Sequence, residues 1–566
     1  MSMKISLPKR FQFSQPYYLP ILSGILVGTS YIPFPPWALF FCLVPLFLFW
    51  MNPRRTLKEI FLGGWVTQLV LNLIGFHWIA NTAIEFGHFP TWAGLLTLLG
   101  FSVIAHLQIP ISGTISFWIF KKHFSAPGEL AWTSSKMKFL LALHGLILTL
   151  VWHLYPMIFP WNFGYPWLWA GFTGAQTADL IGFEGLHFIT ILINCLIAFA
   201  TYHFFARVRN QGHKKIRLFS AAQKGFHSSV AGPFILAVTL FLAINFLGMD
   251  RKSVWETGDG QLQALVIQGN IGNFEKFQAE QGQAFREPII QKYIELTSTG
   301  MSEYPNSELI LWPETAYPDH LDPLFLGRTY AQSVLQMVRK FKTPLLTGSY
   351  SFDFPSKSVF NALFSINAEG TIIQPPYRKS ILLVFGESFP LSEYIPYVQY
   401  LLPQLGNFGR GRGPQVMSVS TSGGEIRFGP QICYEGLYPW FSAGLSSQGA
   451  QVFVNITNDS WFGKTFEPYQ HLTMTAGRAI EFRRPIIRST NTGITAAIQA
   501  TGKITPVLQL GTEGAAEVKV NYKQTPSHTI YEKIVSWWGW FLAITLVLLL
   551  GFGRGKFKIN RLESDS

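Results

Sequence analysis

Hydrophobic positions are distributed very differently along the two main parts of this chain. Over the first 249 residues, and again near the C-terminus, apolar residues run in long uninterrupted stretches. A stretch of about 20 apolar residues matches the hydrocarbon thickness of a bilayer when it is helical. The pattern predicts eight membrane spans: Tyr17–Ile32, Trp37–Trp50, Ile60–Ala80, Trp92–Ile119, Phe139–Tyr155, Ala178–Phe205, Val230–Met249 and Ile534–Gly551.

Between residues 250 and 533 the pattern changes to short β-rich runs that alternate with helical periodicity. Such alternation favours an α/β domain. The predicted strands are Leu262–Gln268, Glu308–Trp312, Pro344–Ser349, Val359–Asn367, Arg427–Cys433, Gln451–Thr457 and Ile486–Ala500. The predicted helices are Glu287–Ser298, Pro323–Phe341 and Pro468–Arg484. We therefore divide the chain into a membrane domain (1–249), an α/β domain (250–533) and an eighth span with a tail (534–566).

Charge supports a membrane protein and predicts its orientation. Charged residues make up 13% of the chain and hydrophobic residues 48%. Lys and Arg cluster in alternate connections, near residues 54–58, 121–138, 207–224 and 554–561, whereas 33–36, 81–91 and 156–177 have neither. Basic loops stay on the cytoplasmic side. Both termini are thus predicted to be cytoplasmic, with 250–533 on the outer face.

The net charge of +13 does not indicate a nucleic-acid partner. Residues 250–533 are balanced, with 24 Lys and Arg against 24 Asp and Glu, so the positive charge belongs to the flanks of the spans. Two acidic residues, Asp179 and Glu184, lie at the start of a predicted span. They could line an interfacial substrate groove, but side chains that reach out of the helix end toward water are the simpler interpretation.

One cysteine stands apart from the other two. Cys42 and Cys195 lie in apolar spans and are interpreted as packing residues, whereas Cys433 ends a predicted strand in the stretch Gly429-Pro-Gln-Ile-Cys-Tyr-Glu-Gly436. Glu314 and Lys379 also follow predicted strands. A thiol, a carboxylate and an ammonium supply the nucleophile, the proton acceptor and the oxyanion partner that acyl transfer requires.

These three residues, in this order, resemble the Glu-Lys-Cys triad of the nitrilase, or carbon–nitrogen hydrolase, superfamily. A longer set of motifs resembles the apolipoprotein N-acyltransferase family within it. The motifs are Gln268-Gly-Asn-Ile271, Trp312-Pro-Glu-Thr315, Phe385-Gly-Glu387, Ile432-Cys-Tyr-Glu435, Asn455-Ile-Thr-Asn-Asp-Ser-Trp-Phe-Gly463, Arg478-Ala-Ile-Glu481 and Arg488-x2-Asn-Thr-Gly493. The resemblance implies eight membrane helices joined to a periplasmic α-β-β-α sandwich.

The resemblance also implies roles for individual residues. Glu314 is expected to be the general base, Lys379 the oxyanion partner and Cys433 the nucleophile. Further residues are expected near this triad: the supporting residues Glu387, Tyr434 and Glu435, and the substrate-binding residues Asn270, Trp461 and Phe462. Simpler alternatives stay open, because Glu387 could only orient Lys379, and Tyr434, Trp461 and Phe462 could be packing aromatics.

The function implied is a two-step acyl transfer in the bacterial inner membrane, without a metal or cofactor. A membrane phospholipid would acylate Cys433, and the α-amine of a diacylglyceryl-cysteine lipoprotein would then take the acyl group. Two alternatives remain at this point. A membrane-anchored amidase would use the same triad with water as the second nucleophile, and a non-catalytic membrane protein would use the α/β fold only for binding.

Overall fold

The computed structural model describes residues 17–85, 87, 89–126, 128–211, 227–384, 386–388 and 408–564. The N-terminal region and the C-terminal segment are helical. A domain with two β-sheets lies between them in the sequence. The membrane-region helices are α1 (Tyr18–Gly28), α2 (Val44–Trp50), α3 (Leu57–Gly75), α4 (Trp78–Glu85), α5 (Thr91–Ile104), α6 (Gln108–Phe124), α7 (Ser134–Leu154), α8 (Tyr165–Trp169), α9 (Ala178–Gln211) and α10 (Gly232–Val254). The basic connection 212–226 lies outside the described residues.

Six helical segments in the described part of the chain are long and apolar enough to cross a membrane. They correspond to six of the eight predicted spans. The first two predicted spans contain helices of only 11 and seven residues, α1 and α2. At 1.5 Å per residue both are shorter than a bilayer core. The number eight therefore stays a prediction.

The predicted span Trp92–Ile119 is interrupted. α5 ends at Ile104 and α6 begins at Gln108, and between them His106 has a left-handed φ of 59°. The buried His106 ring lies 3.2 Å, Nδ1 to Oδ1, from Asn72 on α3. The break thus coincides with a buried polar contact to a neighbouring helix. The continuous apolar pattern did not predict the break.

Twelve strands form two six-stranded sheets between residues 260 and 522. They are β1 (Gly260–Gln268), β2 (Leu309–Leu311), β3 (Leu345–Asp353), β4 (Ser358–Ile366), β5 (Ile372–Arg378), β6 (Met417–Thr421), β7 (Gly424–Ile432), β8 (Val452–Thr457), β9 (Ile486–Thr490), β10 (Thr495–Ile498), β11 (Ile504–Leu508) and β12 (Gly514–Tyr522). The sheet orders are β12-β1-β2-β3-β4-β5 and β11-β10-β9-β8-β7-β6. Parallel pairing joins β1, β2 and β3 in one sheet and β7, β8 and β9 in the other.

Helices cover the outer face of each sheet. α11 (Asn273–Gln281), α12 (Gln283–Glu303) and α13 (Thr329–Phe341) pack with the first sheet in one apolar cluster. α14 (Pro439–Ser447) and α15 (Glu467–Phe482) belong to the second sheet, and α16 (Ile530–Ile534) and α17 (Trp538–Ser564) follow it. The domain is thus an α-β-β-α sandwich, as the resemblance implied. This architecture brings the ends of parallel strands from both sheets together.

The predicted secondary structure is confirmed for the central strands and fails at the edges. Six of the predicted strands match observed ones, but Ile486–Ala500 is wrong as a single strand because residues 491–494 turn between the antiparallel β9 and β10. The unpredicted strands β5, β6, β11 and β12 are the four edge strands. Edge strands are only partly buried and tolerate proline, as in β5 and β11, so they lack the apolar pattern of a central strand.

α15 lies between the second sheet and the membrane helices, and it is almost wholly buried. Gln470 on this helix donates to the carbonyl oxygens of Ile32, at 2.8 Å, and Gly75, at 3.0 Å. The Trp78 indole N–H donates back to the Gln470 side chain at 3.1 Å. Because these polar atoms are paired across the boundary, the membrane domain and the α/β domain are held in one arrangement.

Asp179 takes part in this same boundary, which corrects both interpretations from the sequence. Its side chain is fully buried and accepts from Arg483 Nε at 2.9 Å, with Arg251 as a second cationic partner. It therefore neither reaches toward water nor lines an open groove. Glu184 is half-buried and lies 3.0 Å from His153 Nδ1 on α7.

Candidate active site

The candidate residues come together because each follows a strand. Glu314 lies after β2, Lys379 directly after β5, and Cys433 directly after β7. β2 and β7 belong to the parallel parts of their sheets, and β5 runs in the direction of β2 because two antiparallel steps separate it from β3. Carboxyl ends of parallel strands are the usual place where an α/β site is assembled from distant parts of a chain.

A buried ammonium between two carboxylates forms the centre of the site. Lys379 Nζ lies 3.1 Å from Glu314 Oε1 and 2.8 Å from the Glu387 carboxylate. Asn361 on β4 donates its amide to both carboxylates, at 2.7 and 2.9 Å. The backbone N–H of Asn458 donates to the other Glu314 oxygen at 2.8 Å. Glu314 is therefore oriented by three donors, and the Lys379 ammonium is shared between the Glu314 and Glu387 carboxylates.

Electrostatics explain why Lys379 keeps its charge although only 1% of it is exposed. Burial by itself lowers the pKa of an ammonium. Glu314 and Glu387 outweigh this burial, with a further contribution from Cys433, so the pKa of Lys379 is raised well above its usual range. The site thus holds a permanent cation, which is suited to stabilising an oxyanion.

Cys433 has an unusual backbone and a buried, free thiol. Its φ of 53° lies in the left-handed region, which a residue with a Cβ rarely adopts. Burial and the negative charge of Glu314 raise the pKa of the thiol well above its usual range, and Lys379 acts in the opposite direction. A thiol with a raised pKa needs a proton acceptor before it attacks. Two carboxylates, Glu314 and Asp459, act on it through their charge, and Glu314 contributes more.

The supporting residues differ in what they do. Glu435 is fully buried and accepts from the Tyr377 hydroxyl at 2.6 Å, from the backbone N–H groups of Ser380 and Ile381 at 2.6 and 3.2 Å, and from that of Ile432 at 2.9 Å. It thus ties the segment after Lys379 to the strand before Cys433. Burial raises the pKa of Glu435 to about 7. The hydrogen-bond donors favour the charged carboxylate and lower the pKa, but their effect is smaller than that of burial.

Tyr434 is buried beside the nucleophile. Its ring meets that of Tyr438 edge to face, with centroids 5.2 Å apart. This is an aromatic packing contact, and it leaves open both interpretations that the sequence allowed for Tyr434.

The three predicted substrate-binding residues lie at different positions around the site. Asn270 follows β1, has a φ of 48°, and donates its backbone N–H to the Asn491 carbonyl at 2.8 Å. Trp461 packs over the backbone beside Glu387, since a Cβ on Gly386 would lie 2.2 Å from its ring. Phe462 faces the membrane domain, edge to face with Trp78 at 5.4 Å. Of these three residues, Trp461 is the one that packs against the segment carrying Glu387.

Three functional positions escaped the sequence interpretation. Asn361 bridges both carboxylates, Asn458 binds Glu314 through its backbone, and His471 contacts the carbonyl oxygen of Cys433. Asn361 had a signal, because an amide in the middle of an apolar strand must find partners when it is buried. The other two act through backbone atoms or from a helix far along the chain, so spacing alone carried no signal for them.

Comparisons with known proteins match both parts of this chain to known families. Residues 276–528 match the family model for carbon–nitrogen hydrolases, and residues 23–196 match the N-terminal domain model of apolipoprotein N-acyltransferases. The fold and site thus define a carbon–nitrogen hydrolase domain joined to a membrane domain. Among solved structures, the nitrilase-superfamily protein Nit3 of Saccharomyces cerevisiae matches over 49% of this chain and 95% of its own, at 15% identity and a TM-score of 0.34.

Relatives of nearly the same length define the family more closely. The apolipoprotein N-acyltransferase of Bdellovibrio bacteriovorus is 42% identical over 94% of this chain and 93% of its own. That of Geobacter metallireducens is 28% identical over 92% of each chain. This chain belongs to the apolipoprotein N-acyltransferase family.

Proposed function

We propose that this protein transfers an acyl chain from a membrane phospholipid to the N-terminal α-amine of a diacylglyceryl-cysteine lipoprotein, through a thioester on Cys433. Family membership supports the reaction class. The observation that carries the proposal is the buried cluster in which Glu314 and Lys379 act on the Cys433 thiol. A nucleophile, a base and a cation at one point are what acyl transfer through a thiol needs.

In the first half-reaction, Glu314 takes the proton of the Cys433 thiol as the sulfur attacks the ester carbonyl carbon of the phospholipid. The carbonyl oxygen becomes an oxyanion, which the Lys379 ammonium stabilises. The ester C–O bond then breaks, and the lysophospholipid alkoxide leaves with the proton that Glu314 had taken. The products are a thioester on Cys433 and a lysophospholipid with a free hydroxyl.

In the second half-reaction, the neutral α-amine of the lipoprotein attacks the thioester carbonyl carbon. Glu314 accepts a proton from the amine nitrogen, and Lys379 again stabilises the oxyanion. The C–S bond breaks, the sulfur leaves as a thiolate, and it recovers its proton from Glu314. An amide forms, and the site returns to its starting protonation. The chain's own residues suffice for every proton transfer in this sequence.

The docking of the α/β domain onto membrane helices supports lipid substrates. Moving an acyl chain from lipid into water costs about 0.8 kcal/mol per CH₂. A site built beside α4, through the contact of Phe462 with Trp78, allows the reacting carbonyl to approach while the chain remains among apolar groups. A soluble amide would gain nothing from this arrangement, so the amidase alternative is less well supported.

The test is the intact mass of purified protein mixed with phospholipid vesicles. We expect a gain of one acyl group that hydroxylamine removes, and no gain in Cys433→Ser, because a hydroxyl is much less acidic than a thiol of pKa about 8.5. Lysophospholipid should appear in a burst of about one equivalent per enzyme, as covalent catalysis with a slow second step requires. A diacylglyceryl-cysteine peptide should then accelerate release.

The same assay separates transfer from hydrolysis. An N-acetylated version of the acceptor peptide has no nucleophilic amine, so it should not accelerate release. Steady production of lysophospholipid and free fatty acid without any amine would show that water is the acceptor. The protein would then be a hydrolase, and the acyltransferase proposal would be wrong.

We also propose that the protein resides in the inner membrane with residues 250–533 in the periplasm. The balanced charge of that segment and the basic alternate loops support this orientation. A cysteine at the exposed Ser356 should react with an impermeant maleimide in cells with a permeable outer membrane, and one at the exposed Ser135 should not. Equal labelling would contradict the orientation, and labelling of both in lysed cells is the control.

A further inference from the structure

A buried histidine contacts the backbone of the nucleophile. His471 lies on α15, and its Nε2 is 3.2 Å from the carbonyl oxygen of Cys433. On the other side of the ring, Nδ1 is 3.2 Å from Asp459 Oδ1 and 3.6 Å from Glu467 Oε1. Carbonyl and carboxylate oxygens can only accept a hydrogen bond, so the contact with Cys433 requires a proton on Nε2 and the contact with Asp459 requires one on Nδ1. The ring is thus oriented from both sides.

Three ligating side chains close together also suggest a cation site. The surroundings favour hydrogen bonding instead. Arg488 Nη2 lies 2.9 Å from Asp459 Oδ2 and already supplies a positive charge, and Thr457 donates to the other oxygen at 3.2 Å. His471 turns its second nitrogen to the Cys433 carbonyl. In this cluster the Nε2–H of His471 is therefore directed at the backbone carbonyl of Cys433.

The peptide that receives this hydrogen bond is the critical one in the site. Cys433 holds a left-handed φ of 53°, a conformation that persists only where surrounding contacts enforce it. The carbonyl of Cys433 and the N–H of Tyr434 belong to the same planar unit, so fixing one fixes the direction of the other. The contact with His471 thus restrains both the thiol-bearing residue and the next backbone donor.

We propose that His471 is a positioning residue for Cys433. It donates Nε2–H to the Cys433 carbonyl and keeps the thiol directed at Glu314 and Lys379. The neighbouring Gln470 binds the backbone of Ile32 and Gly75 in the membrane domain, so the same helix that docks onto the membrane also holds the nucleophile. The inference rests on the proposed function, because it takes Cys433 as the group that is acylated.

The test compares two substitutions of similar size. In His471→Gln the amide nitrogen can occupy the position of Nε2 and keep the hydrogen bond to Cys433. In His471→Asn the nitrogen of the shorter amide can occupy the position of Nδ1. The hydrogen bond to Asp459 is therefore kept, and the one to the Cys433 carbonyl is lost. The quantity measured is the single-turnover rate of thioester formation from phospholipid, read by mass, with KM determined in parallel.

We expect His471→Asn to slow thioester formation about 10²-fold, the loss typical of a reacting group displaced by about 1 Å. KM should change little, because the substrate contacts remain, and His471→Gln should stay within a few-fold of wild type. His528→Asn is the control: it removes an exposed histidine that also pairs with a carboxylate, Glu532, at 2.8 Å, and should leave the rate unchanged.

Equal slowing in both His471 variants would show that the ring only fills space, and a normal rate in His471→Asn would show that the hydrogen bond is dispensable; either result overturns the proposal. If His471→Asn does not fold, Asp459→Ala and Asp459→Asn make the comparison. Both remove the carboxylate charge, but asparagine keeps an oxygen that can face Nδ1, so alanine should slow the reaction more than asparagine. Equal rates there overturn the proposal. A wild-type protein that gains no acyl group contradicts both proposals.

Discussion

Two buried clusters of charged residues in this molecule look alike in burial but differ in how their charges are balanced. At the docking boundary, Arg483 binds Asp179 at 2.9 Å and donates to Gln176 through its other nitrogens, at 2.8 Å to the side chain and 2.7 Å to the carbonyl oxygen. Every guanidinium nitrogen has an acceptor. In the active site, one ammonium serves two carboxylates beside a thiol.

The difference shows how a structural cluster can be told from a reactive one. At the boundary, Asp179 has two cationic partners, Arg483 and Arg251, so the cations outnumber the carboxylate. In the candidate active site two carboxylates, Glu314 and Glu387, face one cation, and the proposed mechanism uses Glu314 as the acceptor of the thiol proton. Burial and ion pairing alone do not mark a functional site, because structural ion pairs are also buried. The feature that separates the candidate active site is a second carboxylate, in excess over the cation, beside a thiol.

The strongest way to test the comparison is to break the boundary cluster. Arg483→Gln leaves Asp179 buried with only Arg251, and removing one partner of a buried pair destabilises a protein by about 3–5 kcal/mol. We expect that loss in the free energy of unfolding in detergent. The acylation rate per folded molecule should stay close to wild type, because Arg483 is not near Cys433 in the hydrogen-bond network.

The control for this variant is Arg339→Gln, which changes an exposed arginine of the α/β domain that donates to a backbone carbonyl. Its effect on unfolding should stay below about 1 kcal/mol, as for exposed charged contacts. A large loss of turnover in folded Arg483→Gln protein would contradict the division between a structural and a reactive cluster.

The second prediction changes the balance of the active site itself. Glu387→Gln keeps the size of the side chain but leaves Lys379 with one charged partner. We expect turnover to fall about 10²-fold, the order found when a positioned electrostatic or acid–base group is lost. The measurement is steady-state transfer to a diacylglyceryl-cysteine peptide, with the exposed Glu425→Gln as control. Turnover near wild type would mean that Glu387 is only a structural partner of Lys379.

The smallest effect concerns Glu435, a buried carboxylate bound by neutral donors. Its pKa is raised from 4.5 to about 7 by burial, so between these values the folded state binds a proton that the unfolded state has released. Unfolding free energy should therefore fall as pH rises through this window, by at most about 1.4 kcal/mol per pH unit. Glu435→Gln lacks this contribution.

The measurement is the melting temperature of both proteins from pH 5 to pH 8. The advantage of wild type over Glu435→Gln should shrink as the pH rises from 5 to 7 and then level off. Parallel curves would show that Glu435 does not titrate in this range.

The sequence was most informative where burial imposes a simple pattern. β1, β4 and β8 are central, mostly buried strands rich in apolar residues, and they were predicted within a residue or two at each end. Edge strands such as β6 and β12 are half-exposed. Their residue types are determined by packing and strand pairing with distant segments, which leave no pattern in the local sequence. Asp179 was misinterpreted for a related reason, since its partner Arg483 lies 304 residues away.

What the sequence determined by itself is the chemistry available and the division of the chain. Apolar stretches define a membrane part, alternating runs define the α/β part, and the motifs supply Glu314, Lys379 and Cys433 as candidate residues. Only the tertiary structure decided how these groups share their contacts: Asn361 joins two carboxylates, and His471 reaches the Cys433 carbonyl. The reason is physical. Residue type and local periodicity are encoded along the chain, whereas hydrogen-bond partners and the balance of buried charge depend on which distant segments pack together.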